Sequence, residues 1–179
     1  YLSSSSARAN AGQIWLTAAE SAAITADVQA DGHSLSVGLI AVAASGAGVV
    51  LENQVNTLVR AAVSNTRNSG VQASSGVTIS AQDTSKITAN AKAATFAAAV
   101  GVGAAVSVSA SRASNTIAST VDAHATSASI TTTSGNLSID AAESATIETS
   151  AVASAQSDGL GVTLSGGGAS ATASITTTT

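Results

Sequence analysis

The chain has 179 residues with no Cys, Met or Pro, and its 9% charged content falls well below the roughly one quarter usual in globular domains. Its 45% hydrophobic content includes one each of Trp, Tyr and Phe and is otherwise Ala, Val, Ile and Leu, so a compact sphere would bury little apolar area per residue. A net charge of −4, with the six basic residues Arg8, Arg60, Arg67, Lys86, Lys92 and Arg112 scattered, argues against a nucleic-acid partner, and the absence of Cys excludes a disulfide scaffold and Cys-based zinc or redox chemistry.

Residues 1–12 are expected to be the tail of a preceding repeat, because Gly12-Gln-Ile14 has the form of Gly135-Asn-Leu137 much later in the chain. Residues 13–76 form repeat unit 1, headed by Ile14-Trp-Leu-Thr-Ala-Ala-Glu20-Ser-Ala-Ala-Ile24. Unit 2, residues 77–136, opens Val77-Thr-Ile-Ser-Ala-Gln-Asp83-Thr-Ser-Lys-Ile87, and unit 3, residues 137–179, opens Leu137-Ser-Ile-Asp-Ala-Ala-Glu143-Ser-Ala-Thr-Ile147 and is incomplete. The spacings are 77 − 14 = 63 and 137 − 77 = 60 residues. Asn53 to Ala61 matches Asn115 to Ala123, and Gly101-Val-Gly103 matches Gly159-Leu-Gly161. The chain therefore reads as a window cut from a longer array.

Ala91 to Ala99 would support a helix by propensity alone. Period-two alternation along Val77, Ile79, Ala81, along Ile117, Ser119, Val121, Ala123, and along Val100, Val102, Ala104, Val106, Val108 predicts strands instead. Ser74-Ser-Gly76, Ser134-Gly-Asn136, Asn68-Ser-Gly70 and Asp31-Gly32 are expected turns. The fold class that follows is all-β, a repetitive parallel β-helix-like solenoid in which each unit supplies about three rungs of ~20 residues, with a stack of long antiparallel β-hairpins as the alternative. Ile79 and Ile139 should face inward and Ser80 outward.

The recurring phrase Ser-Gly-(Asn)-aliphatic-Thr/Ser-Ile-x-Ala, followed by acid-Ser/Thr-x-x-Ile-Thr-Ala, an Ala/Gly/Val run and Asn-Thr-Ile, resembles the repeats of giant bacterial surface proteins similar to filamentous-haemagglutinin and autotransporter-passenger adhesins. The resemblance covers nearly the whole chain. It implies an elongated extracellular β-solenoid used for adhesion, surface coating or filament formation.

Few residues invite chemistry. Asp122 and His124 should share a solvent-facing strand face, which could orient an imidazole for a neighbouring Ser, although the equivalent residues of unit 1 are Arg60 and Ala62. The other histidine is His33. Glu20, Asp83 and Glu143 could stack into a cation-binding column, but one carboxylate per unit favours an edge charge that discourages wrong strand pairing. Gly46-Ala-Gly48, Gly101-Val-Gly103 and Gly159-Leu-Gly161 lack the rest of any phosphate-binding motif and read as bends or close-packing sites. Asn136-Leu-Ser138 is a formal glycosylation sequon that reads first as a turn. Ile130-Thr-Thr-Thr133 allows a Thr ladder of the ice-binding kind, with irregular spacing. Ala93 to Ser111 and Ser34 to Leu51 carry no Asp, Glu, Lys or Arg, long enough for a membrane span but rich in Ser and Gly, so a membrane hairpin is the weaker alternative.

The expected function is a non-catalytic structural segment of an extracellular filament, surface layer or adhesin stalk that assembles by β-stacking, with a carbohydrate- or ice-binding module as the alternative. No catalytic, metal or cofactor residue is assigned. The expected partners are further repeats of the same chain or further copies of it, and host or cell-surface carbohydrate, with nucleic acid excluded and a membrane disfavoured.

Overall fold

The computed structural model describes residues 1–66 and 70–179, so two positions of the turn expected at Asn68-Ser-Gly70 lie outside the described residues. Strands account for nearly all of them: β1 (Leu2–Ser3), β2 (Ala7–Ala9), β3 (Gln13–Glu20), β4 (Ala23–Ser64), β5 (Val71–Ala73), β6 (Gly76–Asp83), β7 (Lys86–Thr126), β8 (Ile130–Thr132), β9 (Leu137–Glu143), β10 (Thr146–Gly159) and β11 (Val162–Thr178). Every pairing among the described residues is parallel, which bears out the solenoid and sets aside the hairpin stack. The ladders run β1-β4-β7-β10 with β11 also on β7, β2-β5-β8, and β3-β6-β9.

The repeat is read correctly but the rung is not. Ile14 pairs with Val77 and Val77 with Leu137, so partners in adjacent layers lie a whole unit apart. Each unit is thus one large rung, where the sequence suggested three small ones. The reason is local: alternation carries β4 and β7 onward for 42 and 41 residues, and the chain closes a circuit only after a fold-back and a corner.

The fold-back lies at the middle of each long strand. Gly101 has a φ of +131°, a region L side chains rarely adopt. A Cβ added to Gly101 would lie 1.7 Å from the Gly38 carbonyl oxygen of the preceding rung, and one at Gly103 would lie 1.6 Å from that of Ala41. Beyond the bend the chain returns, and its inward side chains meet those of the outbound limb. Thr95 and Ser107 hydroxyls lie 2.6 Å apart, and Ser111 Oγ donates to the Ala91 carbonyl at 2.8 Å. The rung is therefore a flattened loop, two limbs face to face. At its other end a left-handed corner recurs in each layer, with φ of 50°, 49° and 49° at Ser4, Asn65 and Ser127. The short strands β2, β5 and β8 close the circuit there, and the turns expected at Gly76 and Gly135 separate them from β6 and β9.

Asp31-Gly32 corrects another expectation, because both residues continue β4 without a turn. A Cβ on Gly32 would come within 2.7 Å of the Gly46 carbonyl oxygen on the opposing limb, so glycine at this position lets the two limbs approach closely.

The core tapers from corner to bend. Near the corner it comprises Val59, Val63, Val71, Val77, Ile79 and Val121 with small neighbours; the next cluster has Leu51, Ile87 and Ile117; the cluster nearest the bend is Ala41, Ala43, Ala97, Ala99 and Ala105 only. Polarity inverts along the same axis. Around Ile79 the apolar residues face in and Ser80 faces out, as expected. Around the bend Thr95, Ser107, Ser109 and Ser111 are buried, while Val100, Val102 and Val108 are exposed.

Candidate functional site

The best-formed polar constellation in the core surrounds Asp83. It lies at the end of β6, where the alternation turns it inward, and it is fully buried. Oδ1 accepts from the Ser85 backbone N–H at 3.0 Å and from Ser85 Oγ at 2.6 Å. Oδ2 accepts from Thr57 Oγ1 and Ser119 Oγ, both at 2.6 Å. Thr57 and Ser119 stack on the return limb across the core, so the cradle spans both limbs and two layers. Burial by itself would raise the Asp83 pKa, but the hydrogen bonds from Ser119, Ser85 and Thr57 outweigh it and hold the carboxyl below its ordinary value.

Glu20, Asp83 and Glu143 do occupy one column, since Glu20 pairs with Asp83 and Asp83 with Glu143. Among the described residues no group of three or more His, Cys, Asp and Glu could hold a metal ion. The edge-charge reading is corrected at Asp83, which is buried in the middle layer because hydroxyls from the opposing limb converge on it. Glu20 alone of the three is exposed.

A second polar column runs through the interior. Asn53 Nδ2 donates to Asn115 Oδ1 at 2.8 Å, and Asn115 Nδ2 donates to Thr149 Oγ1 on the outbound limb of the third rung. The matched Asn53 and Asn115 heads of the sequence repeat therefore become an amide ladder, half-buried at Asn53 and buried at Asn115, bonded layer to layer.

On the outer surface Asp122 Oδ1 contacts His124 Nδ1 at 2.8 Å and Asp122 Oδ2 accepts from Arg60 Nε at 2.9 Å. The His124 and Arg60 contacts lower the Asp122 pKa against a smaller opposing effect of burial, with the His124 hydrogen bond the largest influence. Arg60 and Ala62 stack on Asp122 and His124 as the repeat alignment implies. Among the described residues His124 has Asp122 as its side-chain partner and no Ser hydroxyl, so the arrangement is an ion-pair cluster and lacks the nucleophile of a hydrolytic triad. His33 stands against Phe96 on the outbound limb, far along the strand from His124.

Sequence reasoning missed two surface features. A shallow groove of about 200 Å³ crosses the three layers at the closing edge, lined by Arg8, Asn10, Gln72, Ser74, Thr131 and Thr133 among others. Thr131 stacks on Gln72, so Ile130-Thr-Thr-Thr133 does not continue as a Thr column. Trp15 stands on the outer face of β3, 73% exposed, with Nε1 donating to Gln13 Oε1 at 2.8 Å. Its singularity in the composition was the available signal. In comparisons with known proteins, no family model, curated protein or solved structure matches the chain.

Proposed function

We propose that the chain is a non-catalytic structural segment of an extracellular filament, surface layer or adhesin stalk, extended by stacking rung upon rung. The observation that carries this reading is the parallel register of all three units, interrupted at the bend, from Ala23↔Lys86 through Ser64↔Thr126 and on to Thr146↔Lys86 and Thr178↔Thr120. Such a ladder has no preferred length: each layer presents to the next the backbone groups that the last one presented to it. The polar chemistry of the interior is consumed in holding layers together, through the Asp83 cradle and the Asn53–Asn115 ladder. The resemblance to repeats of surface adhesins points the same way.

Sedimentation velocity across a wide concentration range tests this. End-to-end stacking predicts species that lengthen with concentration, because the outer backbone edge of β11 has no partner among the described residues. A strictly monomeric chain at high concentration contradicts it.

One observation favours a second reading, recognition of carbohydrate. Trp15 offers an exposed aromatic face beside the polar side chains Gln13 and Thr17 on the outer face of β3. Polysaccharide binding that quenches Trp15 fluorescence and disappears in Trp15→Ala would support that reading over a purely structural one.

A further inference from the structure

The bend edge is apolar on three sides. At the tip of the three rungs Leu39 is 94% exposed, Ile40 85%, Val102 75% and Leu160 86%, with Val37 and Val100 beside them. These residues stack as a continuous crest, because Val37 pairs with Val100, Ile40 with Val102, and the break between Gly159 and Val162 falls at the same level. The apolar character continues down the outer face of the return limb at Val42 and Leu164, and on the outbound limb reaches Leu35 in the first rung, level with Asp158 in the third. Isolated exposed aliphatic residues need no explanation, but a contiguous patch of this kind marks an interaction surface.

We propose that this crest is a lipid-contacting edge, which seats the solenoid shallowly in the acyl boundary of a zwitterionic membrane. Three observations select lipid over a protein partner. First, the apolar surface wraps both faces and the rim; a second copy packed on one face would leave the other two wet, whereas a fluid medium covers all three. Second, the interior at this level narrows to Ala41, Ala43, Ala97, Ala99 and Ala105, with the paired Thr95 and Ser107 hydroxyls next below, so the larger aliphatic side chains stand outside and the smaller or polar ones inside, the sense of polarity of β-structure in contact with lipid. Third, no Asp, Glu, Lys or Arg occurs between Asp31 and Glu52, between Lys92 and Arg112, or after Asp158.

Depth is set by Asp158, two residues before Leu160, which places a carboxylate about 7 Å from the tip. That matches the ~5–10 Å to which interfacial elements bury their apolar face. Full insertion is opposed by the same carboxylate and by the open backbone edge of the outer rung, which hydrocarbon cannot satisfy. The edge therefore touches a bilayer without crossing it.

The test is flotation of the purified chain with phosphatidylcholine vesicles. Wild type should float, and Leu39→Glu/Val102→Glu/Leu160→Glu should lose roughly tenfold or more of the bound fraction while keeping its β circular dichroism. In a Trp15→Phe/Val102→Trp chain the single Trp should shift to the blue on vesicles and be quenched by lipids brominated high on the acyl chain. No flotation of wild type, undiminished flotation of the triple-Glu chain, or a Trp at 102 that stays in water would overturn the proposal. Lipid-free dimers abolished by the triple-Glu change, without flotation, would overturn it in favour of a second copy on the crest.

Discussion

The corner half and the bend half of each rung obey opposite rules. Near the corner Val71, Val77, Ile79 and Val121 are buried and the outer face carries Arg60, Asp122 and His124. Near the bend the interior narrows to Ala and hydroxyls, and aliphatic side chains stand outside. Stability should accordingly reside in the corner half, where burying branched aliphatics contributes about 1.5–3 kcal/mol per side chain. The bend half is held by its backbone ladder and by glycine geometry, which frees its surface for another use.

The sharpest way to break this contrast is to place a charge at Ile79. Ile79→Asp should cost about 4 kcal/mol or more and unfold the chain, since an unpaired carboxylate would replace a fully buried side chain. Ser80→Asp, one residue away on the outer face, should cost about 1 kcal/mol or less by urea denaturation, from repulsion by Asp140 stacked on it in the next layer. Equal effects would refute the assignment of faces.

Next in size is the bend itself. Gly103→Ala should cost about 2–3 kcal/mol, because its Cβ would collide with the Ala41 carbonyl oxygen and the neighbouring rung must shift. An unchanged urea midpoint would show that the limbs are not stacked as closely as described.

Asp83 sharpens the comparison through pH. Its folded-state pKa is depressed, so its contribution is fully present above the ordinary Asp value near 3.8 and is lost as pH falls below it. Wild type should lose urea resistance steeply in that acid range, and Asp83→Asn should start lower and show a shallower loss. Parallel acid profiles for the two proteins would mean that the hydroxyl cradle does not hold a charge.

The smallest effect belongs to the bend interior. Ser109 Oγ is buried there with no hydrogen-bond partner among the described residues, so Ser109→Ala should be neutral or stabilise by about 1 kcal/mol. Ile87→Ala in the aliphatic core should instead cost about 2–5 kcal/mol in the same assay.

Much of the stacking was legible in the sequence. The template shared by Ile14, Val77 and Leu137 recurs without gaps, and residues that repeat at a fixed spacing are the ones a parallel ladder pairs. Rung size was not legible, because Gly101-Val-Gly103, which reads as a bend and is one, looks in sequence like Gly46-Ala-Gly48, which continues β4, and the alternation through β7 runs on past Gly101. Alternation also carries no sign of which face turns inward: Val100, Val102 and Val108 alternate as cleanly as Val77 and Ile79 yet point outward. The burial of Asp83 depended on Thr57 and Ser119, 26 and 36 residues away in sequence, which only the doubled-back rung brings together. The surface pair Asp122 and His124 was placed correctly because its geometry is local to one strand.

The central claim is that one unit makes one rung, and a single distance tests it. Thr17, Ser80 and Asp140 stack in three successive layers, and both outer members are exposed. The chain has no Cys, so Thr17→Cys/Asp140→Cys can carry two nitroxide labels cleanly for electron paramagnetic resonance. Two layers separate the positions, which predicts a backbone separation of about 10 Å and strong dipolar broadening. Were each unit three small rungs, six layers would intervene, and a distance near 29 Å would contradict the account.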